Sequence, residues 1–104
     1  MKRFLLSKAA ENDLRKIWRE SKDTWGERQA ESFLRALDLC FQQLSDYPAM
    51  GHRCDELRPG YRCFPKGEHH IYYSEKADGV FVTRIRAQRM LPRKAMFDEG
   101  SAAS

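Results

Sequence analysis

The chain opens on a short apolar run, Arg3-Phe4-Leu5-Leu6, that stops at Ser7-Lys8. A run this short, bounded by polar residues, reads as a β-strand. From Ala10 the apolar positions return at three- and four-residue steps: Ala10, Leu14, Ile17, Trp18, Ser21 and Trp25. That spacing is one face of an α-helix. Ser7 is its N-cap, because a serine hydroxyl accepts from the unpaired backbone N–H groups of the first turn. The helix is expected to run to about Asp23. Glu11, Asp13, Arg15, Lys16, Arg19, Glu20 and Lys22 form its solvated side. Thr24-Trp25-Gly26-Glu27 has the spacing of a capping box, so a second helix should begin almost where the first ends. Ala30, Phe33, Leu34, Leu37, Phe41 and Leu44 stripe this second helix to about Ser45, and Pro48 lies beyond its end.

Two amphipathic helices joined by a tight turn make an antiparallel hairpin. Residues 48–60 read as a loop with a Pro59-Gly60 turn. Three strands are expected after it: Tyr61 to Phe64, His69 to Glu75, and Val80 to Ile85. Asp78-Gly79 supplies a hairpin turn between the last two. Pro92 to Phe97 suggests a closing helical turn. The order β-α-α-β-β-β places most strands after the helices. The fold class is therefore α+β, with the helical hairpin packed on one face of a small, mostly antiparallel sheet. The other face is expected to be partly open.

Composition narrows the function classes. At 104 residues the chain fits one domain, read as residues 1–97 with a disordered tail at 98–104. No apolar run approaches the ~20 residues of a membrane helix, and the apolar start is too short for a signal core. Cys40, Cys54 and Cys63 are odd in number and lack C-x-x-C spacing, as in a reduced, cytoplasmic protein with no metal site or cofactor. The net charge is +4. Residues 61–97 carry eight basic and three acidic side chains, so the excess lies in the second half. Such a surplus points to an anionic partner.

Candidate chemistry follows that charge. If Phe81 and Ile85 face the core, alternation along the last strand turns Arg84 and Arg86 outward. With Arg62, Arg89, Arg93 and Lys94 they would then form a basic patch. His69 and His70 are adjacent on a strand and point to opposite faces, so they do not share a metal or a bond. Asp55-Glu56 reads as a turn paired with Arg53 or Arg58. RNA scission needs proton-transfer groups beside cations. The segment Arg86 to Phe97 contains neither Tyr nor His, which argues against a nuclease.

Several blocks, in order, resemble a known family. They are Leu6-Ser7 with Ala9-Ala10, Asp13-Leu14 and Ile17; Trp25-Gly26 with Gln29-Ala30; and Phe41, Leu44, Pro48 and Gly51. Leu57-Arg58-Pro59-Gly60-Tyr61-Arg62 follows with Gly67, His69, Ile71 and Tyr73, and then Asp78-Gly79-Val80, Val82, Arg84-Ile85 and Met90. Together they cover about residues 4 to 91 and resemble the ParE branch of the ParE/RelE toxins of bacterial type II toxin–antitoxin modules. The resemblance implies a toxin that inhibits DNA gyrase, blocks replication, is not an enzyme and is neutralised by a ParD-like antitoxin in a hetero-oligomer. It implies no sequence-specific DNA binding by this chain and no membrane partner. RelE relatives on this fold instead cut mRNA on the ribosome, and fold alone does not choose between these activities.

The resemblance also distributes roles. Arg62, Arg84, Arg86, Arg89 and Met90 are the expected target contacts. Ile17, Trp18, Trp25, Phe33, Leu37 and Arg84 are the expected antitoxin contacts, because aromatic anchors on a helical hairpin suit an amphipathic partner. A nuclease alternative would use Arg62, His70 and Arg89. Where the branch often reads Arg-Ile-Leu-His, this chain reads Arg84-Ile85-Arg86-Ala87, which also admits a non-toxic, partner-binding member.

Overall fold

The computed structural model describes residues 3–87. Strand β1 (Arg3–Leu6) leads into helix α1 (Lys8–Trp25) and helix α2 (Glu27–Asp46). A 3-10 turn at Pro48–Met50 and a two-residue strand β2 (His52–Arg53) follow. Strands β3 (Tyr61–Lys66), β4 (His69–Lys76) and β5 (Gly79–Ala87) complete the described chain. The five strands form one sheet in the order β1-β5-β4-β3-β2, with β1 parallel to β5 and the other pairs antiparallel. Both helices cover one face, as the periodicity predicts. The closing turn expected at Pro92 to Phe97 and the tail at 98–104 lie outside the described residues.

Helix α1 starts as read, with the Ser7 hydroxyl accepting from Ala10 N–H at 3.0 Å. Its end differs. The helix continues through Thr24 to Trp25, and no side chain caps α2. Thr24 is spent in the last turn of α1, so the expected capping box does not form. Gly26 alone joins the helices. It closes α1 onto Lys22 O at 2.9 Å and opens α2 by accepting from Ala30 N–H at 3.1 Å. Its φ of 93° is open to glycine at little cost, which makes a one-residue junction possible.

The main core lies between the helices and the sheet. Ala10, Ile17, Leu37, Cys40, Phe41 and Leu44 pack on Ile71, Tyr73, Val80, Val82 and Ile85. Tyr73 ties this core to the exit of α2. Its buried hydroxyl donates to Pro48 O at 2.6 Å and accepts from Gly51 N–H at 2.9 Å. The positions of Val80 and Val82 correct the expected facing of β5. Thr83 is an extra residue between Val82 and Arg84, which pair with Tyr73 and Tyr72 respectively. This bulge reverses the alternation. Val80, Val82 and Ile85 all face the helices. Phe81, expected in the core, lies half-buried on the other face with the Lys76 ammonium 5.8 Å from its ring centre.

The bulge lies where β1 ends, and α1 covers the exposed edge of β5. Ser7 N–H donates to Val82 O at 2.9 Å and its hydroxyl donates to Thr83 O at 2.7 Å. One helical turn farther on, the Asp13 carboxylate accepts from Ile85 N–H at 3.0 Å. It also accepts from Arg84 Nε and Nη2 at 2.9 and 3.2 Å. Asp13 is therefore half-buried rather than part of a solvated side. An unpaired strand edge invites foreign pairing, and these side chains occupy it.

The face away from the helices is less open than expected. The segment 54–60 folds over it and buries Cys54, Tyr61, Cys63 and Tyr72, with Leu57 packed alongside. Asp55 holds that loop by accepting from Gly60 N–H and from Arg53, both at 2.9 Å, which keeps its carboxyl below the ordinary range. Asp55 thus pairs with Arg53, as the sequence suggests.

Candidate functional site

The structure disperses the expected arginine patch. Arg62 lies on the helix-facing side of β3, where its guanidinium donates to Gly51 O at 2.7 Å and braces the turn after α2. Arg84 is 8% exposed and bound by Asp13, so its charge is not an outward one. Burial of an arginine is favourable only when a carboxylate meets it, and Asp13 is that carboxylate. Arg86 is half-buried on the open side, opposite His70. Arg89 and Met90 lie outside the described residues. Of the expected target contacts, Arg86 is the one that the described fold leaves on the open face near the end of the sheet.

The nuclease set is not assembled. Arg62 pairs with Tyr73 and shares its helix-facing side. His70 points the other way, with its ring edge-on to Tyr72 at 6.1 Å. The two candidates lie on opposite faces of one sheet and cannot meet at a phosphate. His69 takes the helix side instead, 5.5 Å from the Phe33 ring, as the alternation of adjacent strand residues requires. No cluster of His, Cys, Asp and Glu among the described residues is arranged to hold a metal ion.

The helical hairpin separates the expected aromatic anchors. Leu37 is fully buried and Ile17 nearly so, and both belong to the core. They face the sheet because each sits mid-stripe on its helix. Leu37 offers a partner no surface, and Ile17 shows only an edge in the trough beside Trp25. Trp18 is half-buried at the rim of a recess of about 370 Å³, with Leu14 and Leu34 at its floor and Arg15 and Arg19 beside it. Trp25 is 72% exposed at the helix junction. It overhangs a wider trough of about 630 Å³ with Ile17, Glu20, Ser21, Glu68, His69 and Ala87. A neighbouring hollow of about 500 Å³ adds Phe33 and Gly67. Burial holds the His69 imidazole below its ordinary pKa, against the opposing pull of Glu68 and Glu20.

Sequence reasoning missed Asp13, which binds β5, and two contributors to this surface, Gly67 and Glu68. The polarity of Asp13 suggests solvent, although it lies three residues after Ala10 and four before Ile17, on the inner stripe. Glu68 and Gly67 form the tip of the β3–β4 hairpin, and only folding brings that tip beneath α1. The three cysteines are free thiols, all buried. Burial pushes Cys54 up to about 12 and raises Cys40 and Cys63 as well, so none is a poised nucleophile. Among the described residues no helix is long and apolar enough to cross a membrane.

Known proteins share this arrangement. A solved structure described as a chromosomal ParDE toxin–antitoxin system from P. aeruginosa has the same fold, with a TM-score of 0.69 at 17% identity. The match covers 84% of this chain and 96% of that one. Toxin ParE1 of Mycobacterium tuberculosis is 42% identical over 89 residues, which is 85% of this chain and 91% of the relative. Toxin ParE1 of Caulobacter vibrioides is 37% identical over 86 residues, covering 83% and 86%. The family model for the ParE toxin of the parDE type II toxin–antitoxin system matches residues 4–92, so the chain belongs to the ParE toxin family.

Proposed function

We propose that this chain is the toxin of a two-component module in the bacterial cytoplasm, that it blocks DNA gyrase by binding, and that a ParD-like antitoxin neutralises it. The observation that carries the reading is the family match across residues 4–92. The separation of Arg62 from His70 supports binding over strand scission, because catalysis needs its proton-transfer groups at one bond. The target contact is assigned to Arg86 and the residues that follow, including Arg89 and Met90, where the positive charge of the second half is concentrated. The antitoxin contact is assigned to the Trp18 recess. Its apolar floor and flanking Arg15 and Arg19 suit an amphipathic helix with acidic side chains at its rim.

The test uses purified gyrase, ATP and plasmid DNA, with toxin freed from its antitoxin. Products are resolved on a gel after detergent and protease treatment. Linear DNA or lost supercoiling, relieved by adding antitoxin, is the expected result. Unchanged gyrase output from toxin that still binds antitoxin would refute the reading. Toe-printing on programmed ribosomes then distinguishes an mRNA endonuclease from a member without toxic activity.

A further inference from the structure

The recesses beside α1 carry opposite charge. At the Trp18 recess the ionic side chains are Arg15 and Arg19. The hollows of about 630 and 500 Å³ at the helix junction have Ser21, Trp25, Glu68 and His69 in common, so they form one trough. This trough shares no lining residue with the Trp18 recess, and its ionic side chains are the Glu20 and Glu68 carboxylates. Its aromatic wall follows from the one-residue junction at Gly26. Trp25 is the last residue of α1 and exposed, and Phe33 lies about two helical turns into α2. The tip of the β3–β4 hairpin faces them. The Phe33 ring is 5.5 Å from His69, and a Cβ at Gly67 would meet that ring at 3.8 Å.

Both carboxylates act on the one imidazole of His69, which brings them to the same part of the trough. Neither has an ion-pair partner among the described residues. Burial keeps that imidazole below its ordinary pKa, so it is neutral at pH 7 and leaves their charge uncancelled. The trough is thus locally negative in a chain of net charge +4. An exposed indole beside unpaired carboxylates suits a cation, which the ring face attracts and the carboxylates bind. The Phe33 side suits an apolar side chain. An acidic segment fitted to the Trp18 recess would meet two like charges here. We propose that the trough of Glu20, Trp25, Phe33 and Glu68 is a second docking surface. Its occupant is a segment of a partner protein that carries Arg or Lys beside an apolar side chain. The inference depends neither on the antitoxin contact assigned to Trp18 nor on gyrase being the target.

The test uses the full chain carrying Trp18→Phe, so that Trp25 is the one indole. Its emission is titrated with the capped peptide Arg-Leu-Ala-Arg-Leu-Ala and with the same peptide carrying Glu for Arg. The basic peptide should change the emission saturably, with severalfold weaker binding at high salt, and the acidic one should leave it unchanged. E20K with E68K should exchange these responses, because the charge of the trough is reversed. The urea midpoint of each variant checks that the fold persists. No saturable response to the basic peptide, equal responses to both, or a basic response indifferent to E20K with E68K would overturn the proposal. Before any peptide is added, acrylamide should quench Trp25 nearly as well as a free indole. Shielding that survives dilution would overturn the proposal in favour of an occupant from the chain itself, and shielding lost on dilution in favour of a second copy.

Discussion

Substituting Asp13 by alanine should destabilise this protein more than its place on a largely polar stretch of helix suggests. The carboxylate takes three hydrogen bonds, two from Arg84 and one from Ile85 N–H. The Arg84 and Asp13 side chains are only 9% and 11% exposed. Alanine would strand a guanidinium and a backbone amide together at the edge of β5. Removing one partner of a buried pair costs roughly 3–5 kcal/mol, and the lower end applies here because water reaches a tenth of each side chain. Small proteins have about 5–15 kcal/mol in total, so the loss is a large fraction. With a urea dependence of roughly 1–3 kcal/mol per molar, the unfolding midpoint should fall by about 1–3 M.

A double-mutant cycle isolates the cause. Arg84→Met alone leaves Asp13 bonded to Ile85 and should cost less than Asp13→Ala. Asp13→Ala with Arg84→Met removes both charges, so it should cost less than the sum of the two single substitutions by about 1–2 kcal/mol, showing strong coupling between the sites. Tryptophan fluorescence in urea reads all three variants. An Asp13→Ala cost below about 1 kcal/mol, or strictly additive effects, would refute the reasoning by placing the pair with ordinary solvated ion pairs.

Other expectations follow from single groups. Tyr73→Phe leaves Gly51 N–H and Pro48 O without their shared hydroxyl and should cost about 1–3 kcal/mol by urea unfolding. Ser45→Ala should be neutral or stabilising by roughly 1 kcal/mol in the same assay, because the buried Ser45 hydroxyl has no hydrogen-bond partner among the described residues. The folded His69 has a depressed pKa, so the unfolded chain protonates first. Stability from this group is present above its unfolded pKa of about 6.5 and is lost as pH falls below it. His69→Phe should therefore flatten the decline in the urea midpoint between about pH 7.5 and 5.5, and an unchanged slope would contradict this. The three thiols should resist a disulfide reagent in the native protein and react promptly in denaturant.

Local rules made much of this protein legible from its residues. The helical stripes, the Ser7 cap, the Asp78-Gly79 hairpin and the opposed histidines depend on periodicity and on neighbours a few residues away. These are properties that a stretch of chain carries by itself. The family blocks along residues 4 to 91 were legible for the same reason, being short patterns in order. Tertiary structure decided what needed distant partners. The bulge at Thr83 put Val82 and Ile85 together on the helix side and left Phe81 on the other, a register set by pairing with β4. Arg84 lost its expected place on the surface to Asp13, 71 residues away in sequence. The apolar stripes marked Ile17, Leu37, Trp18 and Trp25 alike, and only packing separated two core residues from a rim and an overhang. The physical reason is common to these cases. A periodic pattern states which side of an element is apolar, but where the neighbouring element stops determines which of those side chains remain exposed.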